Sequence, residues 1–280
     1  MTIVRDPRET WEAVSILRAS GATIGFVPTM GALHRGHLSL VEASLAECEH
    51  TVVSVFVNPT QFGPTEDLDK YPRDLERDAA MVRAVGDVRV FAPSVAAMYP
   101  DGFATTVRVG QEAAVLEGAA RPGHFDGVAT VVLKLLQIVP ATHAYFGRKD
   151  YQQSLVVERM VRDLNVPTLV RVCPIVREAD GLAMSSRNAY LSRENRERAA
   201  VLWRALQLAE ALHTEGEADA ETLRAAMAAL IDAEGGVETE YIALLADGTV
   251  EPVERVEGPT VVAVAARVGT TRLIDNHTIG

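Results

Sequence analysis

The chain is poor in the features that mark specialised classes of protein. It has 2 cysteines in 280 residues, Cys48 and Cys173, far apart and in apolar surroundings. That spacing builds neither a disulfide framework nor a zinc ligand set and suits a reducing compartment. Lys and Arg number 27 against 38 Asp and Glu, a formal charge of −11. A general surface for nucleic acid or anionic membrane is thereby excluded, and any phosphate site must be built locally. No stretch approaches the roughly 18 uninterrupted apolar residues of a membrane span. The N-terminal Met1-Thr2-Ile3-Val4-Arg5-Asp6 lacks the basic region and apolar run of a secretory signal. These absences point to a cytoplasmic protein. Internal repeats and low-complexity tracts are missing as well. What remains is 48% hydrophobic residues, enough to bury a substantial core in one large domain or two smaller ones.

Short β-branched or apolar runs at residues 23–27, 51–57, 88–92, 143–147 and 168–176 alternate with helical patterns at 38–47, 75–85, 127–139 and 151–163. In the latter, apolar residues recur every three or four positions, as in crossover helices. The alternation predicts βαβ units in an α/β, doubly wound parallel sheet. After Arg177 the texture changes. A long amphipathic stretch at 192–213 and a second at 219–233 precede β-rich segments at 237–246, 260–268 and 271–275. A smaller α+β domain at 177–280 is therefore expected after a first domain at 1–176. Glu178-Ala179-Asp180-Gly181 makes the junction a turn, because Asp-Gly reaches positive φ without steric cost. In an open α/β sheet, ligands gather beyond the carboxyl ends of the strands.

The first strand is followed by Met30-Gly31-Ala32-Leu33-His34-Arg35-Gly36-His37, a glycine-containing loop running into a helical pattern. A helix starting near His34 puts His34 and His37 on one face, and its free N–H groups favour an anion such as a triphosphate. The same dipole favours neutral, hydrogen-bond-donating imidazoles. An isolated histidine more often caps a helix or packs in a core; the pair among glycines and a proline shifts the balance towards binding. Zinc is the other reading of H-x-x-H, but no third ligand follows at a useful spacing.

The second strand exits through Asn58-Pro59-Thr60-Gln61, whose neutral amides suit hydroxyls and carboxylates, although Asn-Pro also forms a turn unaided. Arg121-Pro122-Gly123-His124 is a cation-bearing loop before another helix, suited to covering a charged substrate or simply to a surface loop. After the strand at 143–147 comes Gly147-Arg148-Lys149-Asp150-Tyr151-Gln152-Gln153. Asp150 and Gln153 also fit a capping box. Lys149 opposes the helix dipole there and fits a bound anion. Val176 ends the last strand of the first domain, and Met184-Ser185-Ser186-Arg187-Asn188 then offers hydroxyls and a guanidinium to phosphate oxygens, although such polar loops are common.

Taken in order, His34-Arg35-Gly36-His37 and Met184-Ser185-Ser186-Arg187 resemble the HIGH-like and KMSKS-like signatures of the nucleotidyltransferase superfamily. With the blocks around Gln61, Arg121 to Val128 and Tyr145 to Gln153 added, the whole chain is similar to the pantothenate synthetase family. The resemblance implies a Rossmann-like first domain, a smaller C-terminal domain that closes over it, and a homodimer. It implies condensation of pantoate with β-alanine through a pantoyl adenylate, consuming ATP with Mg²⁺ and releasing AMP and pyrophosphate. By the same resemblance, ATP contacts Met30, Gly31, Ala32, Leu33, His34, Arg35, Gly36, His37, Gly147, Arg148, Lys149, Asp150, Val176, Met184, Ser185, Ser186 and Arg187. His34, His37 and Lys149 are the catalytic set, with His37 as proton donor; Gln61 and Gln153 hold pantoate, and Asn58, Arg121 and His124 complete the expected substrate site. Some relatives keep magnesium near acidic residues on the helix after Tyr71-Pro72-Arg73. Here Asp74, Glu76 and Asp78 are interrupted by Arg77, and no metal ligand is assigned. Two other functions stay open: a transferase that releases a nucleotidyl product, and a noncatalytic nucleotide sensor.

Overall fold

The computed structural model describes residues 3–64 and 66–280, so Met1 and Thr2 of the N-terminal stretch lie outside the described residues. The chain divides into two compact units, Met1–Arg148 with Gln152–Pro174, and Lys149–Tyr151 with Ile175–Gly280.

In the first unit, β1 (Ile3–Val4), β2 (Ile24–Thr29), β3 (His50–Val55), β4 (Arg89–Phe91), β5 (His143–Gly147) and β6 (Leu169–Cys173) form a parallel sheet in the order β1-β4-β3-β2-β5-β6. The helices are α1 (Pro7–Ala19), α2 (Arg35–Glu47), α3 (Leu75–Val85), the short α4 (Val95–Met98) and α5 (Glu117–Ala120), then α6 (His124–Ile138) and α7 (Tyr151–Asp163). Strand side chains alternate between two cores, which is what makes a doubly wound sheet. Phe26, Val52, Phe91 and Phe146 pack with residues of α1, α6 and α7. Val27, Val53, Val90 and Tyr145 pack with Leu40 and Val41 of α2 and Val82 of α3.

The second unit packs α8 (Arg193–Ala199), α9 (Val201–Thr214) and α10 (Ala220–Glu234) with an antiparallel sheet of β7 (Val237–Ala246), β8 (Thr260–Val268) and β9 (Thr271–Ile279). Leu202, Leu206, Leu223, Met227 and Ile231 meet Val262, Val264 and Ala266 in its core.

Several boundaries differ from the periodicity. Helix α1 was not expected. Only Thr10 and Val14 are buried along it, too sparse an apolar stripe to show, although Asp6 accepts from the Glu9 N–H and Pro7 opens the helix. The stretch at 192–213 is two helices rather than one, because at Ala200 the N–H bonds back to Glu197, three residues away. Strand β9 runs to Ile279, opposite Thr260, beyond the expected 275. The polar Asn276 and His277 had interrupted the apolar pattern. Helix α6 starts at His124, three residues earlier than the pattern, so His124 belongs to a helix and is buried. Cys48 is buried, Cys173 is half-buried, and both are free thiols. No helix among the described residues is long and apolar enough to cross a membrane.

Candidate active site

The loop from β2 to α2 is held by backbone geometry and one remote carboxylate. Gly31 has φ +83° and Ala32, without the freedom of glycine, φ +50°. Both Asp78 oxygens accept backbone N–H groups, from Ala32 at 2.9 Å and Leu33 at 2.8 Å. Burial pushes the Asp78 carboxyl up, and the two N–H donors oppose that. A side chain at Gly31 would meet Asp78 Oδ2 at 2.9 Å and Val55 at 3.0 Å, so the glycine is needed for this approach.

Helix α2 then opens with a reciprocal cap made by two histidines. The Gly36 N–H donates to His34 Nδ1 at 3.2 Å, and the His34 N–H donates to His37 Nδ1 at 3.4 Å. A ring nitrogen that accepts an N–H carries no proton, so both imidazoles in this arrangement are neutral and carry their proton on Nε2. Their ring centroids lie 4.1 Å apart. Two neutral Nε2–H donors at a helix N-terminus suit phosphate oxygens. Met30 is half-buried beside them in sequence, and the exposed Arg35 is paired with Glu42 at 2.6 Å.

Beyond β3, Asn58 is fully committed within the fold. Its Oδ1 accepts from the Thr60 N–H, the Thr60 hydroxyl and the Tyr99 hydroxyl. Its Nδ2 donates to the Gly127 carbonyl at 3.2 Å and to Gln61 Oε1 at 3.0 Å. The backbone N–H on one side and the backbone carbonyl on the other fix which end of the Asn58 amide is which, and hence that Gln61 turns its oxygen inward. Gln61 Nε2 makes no hydrogen bond to a described residue. Gly127 is required for this packing, since a Cβ there would lie 2.3 Å from the Thr60 carbonyl oxygen.

Arg121 and His124 were expected to meet a substrate, but their polar atoms serve the same network. The Arg121 guanidinium grips Glu66 at 2.7 and 2.6 Å and donates to His124 Nε2 at 2.9 Å. His124 Nδ1–H donates to the Gln61 carbonyl at 2.8 Å. Burial and the adjacent guanidinium lower the His124 pKa to about 4, keeping the ring neutral. Burial works against the Glu66 carboxylate, but Arg121 outweighs it and holds the pKa below its ordinary value. The result is a clamp on the backbone of Gln61.

Gly147 ends β5, and a Cβ there would meet nothing within 4 Å. Arg148, Lys149 and Asp150 form a 3-10 turn, with Lys149 Nζ 3.4 Å from Asp150 Oδ1. The two glutamines that follow diverge. Gln152 is buried and bonded to the Glu117 N–H and the Glu112 and Val115 carbonyls. Gln153 is half-buried and makes no hydrogen bond to a described residue, so it closes no capping box.

In the second unit, the structure brings Val176 beside Met184. Arg177 bridges Ala183, and the Met184 N–H donates to the Val176 carbonyl at 2.9 Å. Asn188 fastens the segment to Ala183 and Glu178. Ser185 caps the turn Ser186–Tyr190 by accepting the Arg187 N–H at 3.2 Å. Sequence reasoning had no role for Glu66, nor for Asp78 as the anchor of the loop. The signal for Asp78 was its position: it shares the buried stripe of α3 with Ala79 and Val82, where an unpaired carboxylate is costly.

The donor set does not fit a metal held by protein. Among the described residues no three His, Cys, Asp or Glu side chains converge. Both oxygens of Asp78 are taken by backbone N–H groups, and Asp74 caps α3 by accepting from the Arg77 N–H.

The profile of the family described as pantoate-beta-alanine ligase matches residues 2–278. The chain belongs to that family. It is 55% identical over 258 residues to the pantothenate synthetase of Roseiflexus castenholzii, covering 92% of this chain and 93% of that one. Over 276 residues it is 52% identical to that of Caldicellulosiruptor saccharolyticus, covering 99% and 98%. Among solved structures it is similar to pantothenate synthetase from Thermus thermophilus, with a TM-score of 0.92, 49% identity and 99% of each chain covered. It is also similar to pantoate-beta-alanine ligase from Francisella tularensis complexed with beta-gamma ATP and beta-alanine, with a TM-score of 0.81, 35% identity and coverage of 99% and 97%. The chain is thus an enzyme of this ligase family, and its parallel sheet with a small antiparallel second sheet is the family's fold.

Proposed function

We propose that the protein condenses pantoate with β-alanine at the expense of ATP, forming pantothenate, AMP and pyrophosphate. The observation that carries this reading is the reciprocal cap of His34 and His37, which keeps two neutral imidazoles with Nε2–H donors at a helix N-terminus. The Francisella tularensis relative, complexed with beta-gamma ATP and beta-alanine, supports the substrate classes.

A carboxylate does not form an amide at neutral pH until it has a good leaving group. A pantoate carboxylate oxygen attacks the α-phosphorus of ATP, the bond from that phosphorus to the bridging oxygen breaks, and pyrophosphate departs. His34 and His37, with Lys149, Ser185, Ser186 and Arg187, offset the charge on the phosphates, and His37 donates to the departing oxygen. Met30 to Leu33, Arg35, Gly36, Gly147, Arg148, Asp150, Val176 and Met184 line the nucleotide. Gln61, through its Nε2, and Gln153 hold the oxygens of pantoate, while Asn58, Arg121 and His124 hold Gln61. The deprotonated amine of β-alanine then attacks the acyl carbon, the carbon–oxygen bond to phosphate breaks, and AMP leaves.

Residues 1–176 bind ATP and pantoate in this reading, and 177–280 serve as a lid that keeps water from the adenylate. Magnesium would enter with the nucleotide and offset phosphate charge, and no step depends on a protein ligand for it. The same reading makes it a homodimer acting on small molecules in the cytoplasm.

The test is to mix protein, ATP, Mg²⁺ and pantoate without amine. A pantoyl adenylate seen by mass spectrometry, pyrophosphate exchange that requires pantoate, and AMP release only with β-alanine are expected. Exchange independent of pantoate, or release of a stable nucleotidyl product, would overturn the reading.

A further inference from the structure

We propose that β9 positions Lys149 for ATP through Asn276, with Asp275 and Arg177 as the buried hub behind it. This rests on the reading that Lys149 contacts the nucleotide. Asn276 Nδ2 donates to the Lys149 carbonyl at 3.0 Å. Two residues on, the Tyr151 hydroxyl accepts the Thr249 N–H at 3.1 Å and donates to the Thr249 carbonyl at 2.9 Å. The segment that carries Lys149 is thus tied at two points within the second unit.

Beside Asn276, the Asp275 carboxylate takes the Arg177 guanidinium on both oxygens, at 2.6 and 3.1 Å. Arg177 also donates to the carbonyls of Asn276 and Gly181, and lies 3.7 Å above the Trp203 ring. Gly181, at φ +91°, makes room for that ring, since a Cβ there would lie 1.8 Å from it. Because Arg177 follows Val176 and bridges Ala183, the hub fixes three segments together, those of Lys149, Val176 and Met184. Asp275 and Asn276 are each 2% exposed. Apolar residues would pack a small sheet at less desolvation cost, so an amide and a carboxylate here point to a positioning role.

The experiment measures pantoate-dependent exchange of pyrophosphate into ATP with the full chain carrying Asn276→Ala, Asn276→Asp or Lys149→Ala, and Asn276→Ala combined with Lys149→Ala. Asn276→Ala is expected to raise the KM for ATP about tenfold, the scale of one lost hydrogen bond to a positioned group. The KM for pantoate should stay within about twofold, and the double variant should match Lys149→Ala alone. Asn276→Asp keeps the shape but turns an acceptor towards the Lys149 carbonyl, so it should also weaken ATP; it serves as the test should the alanine variant fail to fold. Equal changes in both KM values, effects that multiply in the double variant, or an aspartate variant with wild-type kinetics would overturn the proposal. A wild-type rate and KM in Lys149→Ala would instead remove the nucleotide contact on which it rests.

Discussion

Two loops of the first unit read alike as sequence, Gly31-Ala32-Leu33-His34-Arg35-Gly36-His37 and Gly118-Ala119-Ala120-Arg121-Pro122-Gly123-His124. Each is rich in glycine and carries arginine and histidine ahead of an apolar helix. In the first, Nδ1 of each histidine accepts a backbone N–H, which assigns the ring proton to Nε2. In the second, His124 is bonded on both ring nitrogens, to Gln61 and Arg121, and Arg121 is itself paired with Glu66. The difference lies in the partners. A backbone N–H to Nδ1 sets the tautomer of a ring and caps a helix, whereas a carbonyl and a guanidinium together tie a ring to a remote backbone.

The largest effect should come from His37→Ala, which removes a positioned donor and should slow pyrophosphate exchange roughly 100- to 1000-fold. A full rate in a folded variant would erase the distinction between the loops. Next is the pH response of the other histidine. Folded His124 titrates at about 4, below the ordinary value near 6.5, so in that window the unfolded chain binds a proton that the folded chain does not. Its contribution is complete above the upper value and is lost as pH falls through the lower one, up to about 3 kcal/mol. Urea unfolding at neutral and mildly acidic pH should show that increment in the wild type and not in His124→Asn; identical losses in both would assign the effect elsewhere.

Asp78→Asn should cost about 2 kcal/mol, because one end of an amide cannot accept the N–H it would face. Chemical denaturation measures this, and an unchanged midpoint would mean that the loop does not depend on its anchor. The smallest effect is expected for Gln61→Ala, a rise of about tenfold in the KM for pantoate with that for ATP unchanged. Equal rises in both would detach Gln61 from pantoate.

Much of the scaffold was legible in the sequence. Strand β5, helix α7 and strands β7 and β8 run between the residues that the pattern marked, because each carries an uninterrupted run or a steady period. Legibility failed where polar residues were buried. Asn276 and His277 broke the pattern of β9, and Asp78 looked like one acid among several on α3. At the candidate site, the sequence singled out Gln61 and Gln153 but not the reason that their amides are available, namely that Asn58 fixes one and the turn before α7 leaves the other out of a cap. Nor did it show that the neighbouring Gln152 is spent on Glu117, Glu112 and Val115.

The sequence by itself determined the two-sided parallel sheet, since alternating apolar residues must be buried on both faces, and the glycines and histidines at its strand exits. Which polar groups remain available for chemistry was decided only by the tertiary structure. Hydrogen-bonding capacity is finite, and the groups that exhaust it are distant in the chain: Asp78 lies 45 residues from Leu33, Glu66 55 from Arg121, and Asn276 127 from Lys149.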